Sequence, residues 1–226
     1  MEETLINNLS IDCVVFGFDS GELKALFVKR FNEPDKGKMS LPGGFVAINE
    51  NLDAAPARRL KQLTGIENLF MRQFHTFGDI HRYPPHRVLT VAYYALVKIS
   101  DYKINVGGDV HECRWISIKE VPEMPFDHRE ILEVGIEKLR EQVRTEPIGF
   151  NLLPEKFTIT ELQNLYESIL DTKFDKRNFR KKLAKMNLLV DTKQKQKNVS
   201  HRAANLYKFD EKNYQKLLKK GFIFDL

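Results

Sequence analysis

One helix-forming stretch, residues 52–63, stands just after a glycine pair and inside a succession of short β-branched and aromatic runs, and that placement limits the fold of the first part of the chain. Runs at 11–18, 23–30 and 39–46 come before it, and runs at 69–77, 88–99 and 112–118 come after it. Asp19, Ser20 and Gly21 turn the chain after the first run, and a charged loop at 32–38 precedes the third. Asp53 is the expected N-cap of the helix, which puts Pro56 in the first turn, where a missing N–H is tolerated. A second helix is expected at 127–145, with Ile131, Val134, Ile136 and Leu139 near helical spacing. Strands and helices in this order make a layered α/β or α+β domain.

Pro147, Ile148 and Gly149 break the second helix, so residues 146–155 are the expected linker. Beyond it the character changes. Residues 151–226 hold 17 Lys+Arg against 9 Asp+Glu, which leaves 19 against 22 for residues 1–150. Opposite charge signs in the two parts point to a polyanion as partner of the second. Thr158 and Glu161 form a capping box opening a helix striped by Leu162, Tyr166, Ile169 and Leu170. A basic helix is expected from Asp175, with Phe179, Leu183 and Met186 on one face. A strand at 188–190, a Lys/Gln-rich loop at 192–198 and a strand at 205–209 follow. Helix, basic helix, strand, basic hairpin and strand is the order of a winged helix.

Cys13 and Cys113 lie in apolar or strand-like surroundings with no CxxC and no histidine cluster, so reduced thiols are expected and neither a disulfide framework nor a zinc site. The first ten residues are acidic and polar where a signal peptide is basic and then apolar. No apolar run approaches the ~20 residues that span a bilayer. The expectation is a cytoplasmic protein with no membrane partner.

Residues 43–66, GGFVAINENLDAAPARRLKQLTGI, resemble the Nudix box: Gly, five residues, Glu, seven residues, then Arg-Glu-apolar-any-Glu-Glu-any-Gly-apolar. Gly44, Glu50, Arg58, Leu60, Gly65 and Ile66 match without a gap. The three positions that enzymes of the family fill with metal-binding glutamates hold Arg59, Gln62 and Leu63. Magnesium or manganese needs hard anionic oxygens converging on one helix face. Arg59 reverses the charge, Gln62 offers a neutral carbonyl and Leu63 offers nothing. No catalytic residue, metal ligand or cofactor is therefore expected. The resemblance implies a Nudix-like α/β/α sandwich kept as a scaffold, with a cleft that binds without cutting.

The whole chain resembles the regulators related to Nudix hydrolases, the NrtR-like family, in which a Nudix-like sensor precedes a winged helix. The expected fold class is α+β: a sandwich over 1–148 and a winged helix-turn-helix domain over 149–226. The resemblance implies a homodimeric repressor that binds double-stranded DNA under the control of a small effector. In the basic helix Lys176, Arg177, Asn178, Arg180, Lys181 and Lys182 surround the apolar face. Arg177, Asn178 and Arg180 are the candidates to read base edges, since Arg pairs with guanine and Asn with adenine. Lys193, Lys195, Lys197, Ser200, His201 and Arg202 form the candidate wing. RNA is the weaker partner, because Phe179, Tyr207 and Phe209 sit where core packing accounts for them.

Effectors in such families divide between ADP-ribose-like nucleotides, in regulators of NAD metabolism, and pentoses, as in the arabinose-responsive AraR branch. Phe45, Asn49, Glu50, Asp79, His81 and Arg82 are expected to border the cleft. Absence of the metal cage turns the expectation toward an arabinose-like pentose, with ADP-ribose and an active pyrophosphatase as alternatives.

Overall fold

The computed structural model describes residues 4–107, 110–197 and 202–224. It divides into two compact units, 1–19 with 23–138, and 139–226 with 20–22.

The first unit is built on strand β1, Leu5–Asp19. Its residues 10–16 are buried without interruption, which requires cover on both faces of the sheet. Beside it lie β2, Glu22–Arg30, and β6, Leu89–Lys98, with β6 running parallel to β1 from Leu9 opposite Leu89 to Phe18 opposite Lys98. Strands β3, Met39–Ser40, and β7, Val110–Ser117, pair with β2, while β5, Arg72–Phe77, pairs with β6. Strand β4, Gly43–Ala47, lies antiparallel to the first half of β1. The single strand expected at 39–46 is thus two: the chain leaves β2 at Leu41 and Pro42 and joins β1, where Cys13 N–H donates to the Pro42 carbonyl at 2.8 Å.

Alternation along β1 sorts its side chains. Ile11, Cys13 and Val15 join Val91, Tyr93, Ala95 and Val97 of β6 against Ala55 and Leu60 of helix α1, Ala55–Thr64. On the opposite face Gly135 of helix α2, His128–Thr145, packs on β1, and a Cβ there would lie 3.3 Å from Val14 Cγ2 and 3.4 Å from Phe74 Cζ. One sheet between two helices is the expected α/β/α sandwich. Helix α1 begins differently from the expectation. Residues Leu52–Ala54 form a 3-10 turn, Ala54 is the N-cap, and the Asp53 carboxylate accepts Tyr93 OH at 2.6 Å instead of capping the helix. Gly65, at φ 72°, closes α1 in the left-handed conformation that suits glycine.

In the second unit, the expected linker is a packed 3-10 turn, Pro147–Leu152. Its Phe150 stacks on Phe209 with centroids 4.4 Å apart and lies 5.6 Å from Phe157. Burial of these apolar residues overrides the break that proline and glycine mark in the sequence. Helix α3, Ile159–Leu170, carries the capping box: Thr158 Oγ1 accepts Glu161 N–H at 3.1 Å, and Glu161 accepts Thr158 N–H at 2.7 Å. Helix α4, Lys176–Met186, is capped by Asp175, and its Phe179, Leu183 and Met186 are buried. Strands β8, Leu189–Lys195, and β9, Asn205–Phe209, form a hairpin, to which Phe157 adds a bridge at Tyr207. The expected basic loop is therefore partly strand, with a bulge between Asp191 and Gln194 where Lys193 turns to φ 59°. Helix α5, Glu211–Leu218, follows and was not expected. Among the described residues no helix is long and apolar enough to cross a membrane.

Candidate functional site

The first unit holds a cavity of about 300 Å³ where β1, β4, the end of β2 and the start of α2 meet. Its lining joins Arg30, Arg58, Arg59 and Arg82 to the aromatic residues Phe31, Phe45, Tyr83 and Phe126. The Nudix-box positions explain part of this charge. Arg59 Nε donates to the Gly43 carbonyl at 3.0 Å, and its guanidinium lies against Gly44, where a Cβ would come within 2.5 Å of Nε. Gly44, at φ 150°, thus serves both as a conformation and as a gap for the arginine. Arg58 pairs with Glu50 through Nε at 2.8 Å and a terminal nitrogen at 2.6 Å, and also donates to the Phe45 carbonyl at 3.0 Å. Hydrogen bonding from Arg58 holds the Glu50 carboxyl below its ordinary range, against burial. Gln62 accepts from Arg58 at 3.2 Å and Arg59 at 2.9 Å, and Leu63 is buried. This donor set does not fit a divalent cation: its one carboxylate already answers an arginine. Among the described residues no cluster of three or more His, Cys, Asp or Glu is placed to hold a metal.

Deeper in the cavity lies a polar group of which sequence reasoning named Arg82 alone. Asp12, Arg82 and His128 are 5%, 7% and 6% exposed. Arg82 gives Asp127 two bonds, at 2.7 and 2.8 Å, and reaches Asp12 at 3.4 Å. Thr90 Oγ1 donates to Asp12 Oδ2 at 2.8 Å. His128 Nδ1 accepts Leu41 N–H at 3.0 Å, which places the proton of the neutral ring on Nε2, 3.5 Å from Asp12 Oδ1. Burial depresses the His128 pKa, outweighing the opposing pull of Asp12 and Asp127. The sequence signal was available: Asp12 is a charge inside the otherwise apolar run 11–18.

The aromatic wall runs from Phe45, stacked 6.0 Å from His86, to Tyr83 and on to Phe126, 5.0 Å from Tyr83. Phe126, at φ 56°, holds its ring 5.0 Å from the Arg30 guanidinium. Of the expected effector contacts, Phe45 and Arg82 line the cavity. Glu50 stands behind Arg58. Asn49, Asp79 and His81 are exposed and outside the lining, with the Asp79 carboxylate closing a local turn on His81 N–H at 2.7 Å.

In the second unit Lys176, Arg177, Asn178, Arg180, Lys181 and Lys182 are all exposed on α4. At about 100° per residue, Arg177, Lys181, Ala184 and Lys185 lie opposite the buried stripe, while Arg180 and Asn178 flank them on either side. Ala184 keeps that face low, and Lys185 extends the basic stripe beyond the expected set. Lys193, Lys195, Lys197 and Arg202 are exposed on or beside the hairpin, and Ser200 and His201 lie outside the described residues. Arg180 and Arg202 line one recess with Asn187 and Asn205.

Family comparison agrees with both units. Residues 7–134 match the NUDIX domain, and residues 149–209 match the NrtR DNA-binding winged helix domain. A Nudix sandwich followed by a DNA-binding winged helix defines a class of regulators built on a Nudix domain. This chain belongs to the NrtR-like family of that class. It is 32% identical over 210 residues to the ADPR responsive transcriptional repressor NtrR of Acinetobacter baylyi, covering 91% of this chain and 83% of that protein. Shewanella oneidensis NrtR complexed with a 27mer DNA is 29% identical, with a TM-score of 0.73 and coverage of 89% of this chain and 93% of that one. The NUDIX domain of the Shewanella protein complexed with ADP ribose is 29% identical, with a TM-score of 0.53 and coverage of 62% and 90%.

Proposed function

We propose that this protein is a metabolite-gated transcriptional repressor: residues 1–148 hold ADP-ribose without cleaving it, and residues 149–226, as a homodimer, hold duplex DNA. The carrying observation is the cavity in which Arg59 stands where a hydrolase of the fold needs a carboxylate, beside Arg30 and an aromatic wall. Arginines hold a diphosphate without a metal, and Phe45 and Tyr83 offer faces to a base. The relatives' printed names, ADPR responsive and complexed with ADP ribose, support the same ligand. The pentose expectation finds no support there, and arabinose has no anion to engage Arg30 or Arg59.

On DNA, Arg177 and Arg180 read base edges with Asn178 at the flank, and Lys176, Lys181, Lys182, Lys193, Lys195, Lys197 and Arg202 neutralise phosphates. Two winged helices spaced near ~34 Å, or a multiple, would dock on one palindrome. The test selects duplexes from a random pool and follows anisotropy of the winner while ADP-ribose, AMP or arabinose is added. Release by ADP-ribose alone, with no AMP formed in the presence of magnesium or manganese, is expected. Release by arabinose alone, or steady AMP production, would overturn the reading.

A further inference from the structure

At the buried end of the cavity Asp12 shares the Arg82 guanidinium with Asp127 and faces the His128 ring. Arg30 and Arg59, both only half-buried, lie toward the outside. Asp12 itself is unevenly satisfied. Its Oδ2 accepts Thr90 Oγ1 at 2.8 Å and a long bond from Arg82, whereas among the described residues Oδ1 has only His128 Nε2 at 3.5 Å. An ionised carboxylate offers about four lone-pair sites, and one buried without donors is costly. Phosphate oxygens cannot supply a donor. A neutral hydroxyl can, and the neighbouring buried Ser40 hydroxyl, bound only weakly to the Val28 carbonyl at 3.5 Å, is a partner of the same chemistry.

Resting on the ADP-ribose reading above, the geometry points to Asp12 as the residue that reads a hydroxyl of the ligand's terminal ribose. The ligand then has one orientation: phosphates toward Arg30 and Arg59, terminal sugar on the floor formed by Asp12, Ser40 and His128. The base is left to the aromatic wall. Asp12 thereby separates ADP-ribose from ADP, which carries the same base and phosphates and lacks the second sugar.

Calorimetric titration of the full chain with ADP-ribose, with ADP and with ADP-ribose analogues deoxygenated singly at the terminal ribose tests this. In the native protein one deoxy analogue should bind about 10- to 100-fold more weakly than ADP-ribose, the range for a hydrogen bond to a charged group. Asp12→Asn should lose a similar factor for ADP-ribose, leave ADP within about threefold, and no longer distinguish that analogue. Equal affinity of the native protein for all deoxy analogues overturns the inference even if the variant fails to fold. So does an Asp12→Asn loss shared equally by ADP. A native protein that binds no ADP-ribose overturns the effector reading itself, which is a separate result.

Discussion

Replacing Glu167 with glutamine should loosen the turn that sets the basic helix. Glu167 Oε1 accepts Gln163 Nε2 at 2.7 Å and Phe174 N–H at 3.0 Å, and Oε2 accepts Lys173 Nζ at 2.9 Å, so one carboxylate ties α3 to the chain entering α4. Burial pushes this carboxyl up, but the bonds from Gln163, Lys173 and the Phe174 N–H outweigh burial and hold it at about 2, against an ordinary 4.5. Taken whole, that depression corresponds to roughly 3 kcal/mol at about 1.4 kcal/mol per pH unit. Lys173 is 90% exposed, so water screens its part, and about 1–2 kcal/mol remains. A depressed carboxyl stabilises the fold fully above its ordinary pKa, and that contribution fades as pH falls from about 4.5 toward about 2. Differential scanning calorimetry of the full chain should show the winged-helix transition of Glu167→Gln lowered at pH 7 by roughly 4–8 °C per kcal/mol, with the gap to the native protein closing toward pH 3. A gap that is absent at pH 7, or constant with pH, would refute the reasoning.

Three further outcomes follow from the same geometry. Gly44→Ala forces Arg59 off its seat, since the new Cβ meets Nε at 2.5 Å, and ADP-ribose titration should show at least a tenfold loss, about 1.4 kcal/mol; unchanged affinity would count against Arg59 as a phosphate contact. The buried His128, facing Asp12, Asp127, Arg82 and Arg30, has a depressed pKa, so its contribution is present above about 6.5 and is lost as pH falls below it; denaturant melts should show that slope flattened in His128→Gln. Lys195→Ala and Lys197→Ala should each weaken binding to all duplexes alike and lower the salt slope by about 1, whereas Arg177→Ala should relax selection at one base position; anisotropy across salt and sequence separates the two.

What was legible beforehand was local or periodic. The Thr158 and Glu161 capping box, the Asp175 cap and the Phe179, Leu183, Met186 stripe are written within one or two turns of helix, and the structure repeats them. Alternative partners defeated the rest. Asp53 had the right position to cap α1, but Tyr93, forty residues on, takes its carboxylate. Pro147 and Gly149 read as a break, yet Phe150 meets Phe209 and Phe157 there. Asn49, Asp79 and His81 are polar and stand near strand ends, while the polar floor of the cavity comes from Asp12, Ser40 and His128, held from behind by Thr90 and Asp127, which the parallel pairing of β1 with β6 and the start of α2 bring together.

Leu63 bears on how this protein could change over evolutionary time. Arg59 and Gln62 are partly exposed and could be exchanged for glutamate one at a time, but Leu63 is 2% exposed, with its carbonyl accepting Cys113 Sγ at 3.5 Å. A carboxylate introduced there would be desolvated unless one of the cavity's arginines turned to meet it, and desolvation of an unpaired charge costs a large fraction of a domain's net stability. A change toward the carboxylate-bearing pattern therefore involves the Arg58 and Arg59 bonds as well as position 63, so this one buried leucine resists it more than the two positions nearer solvent.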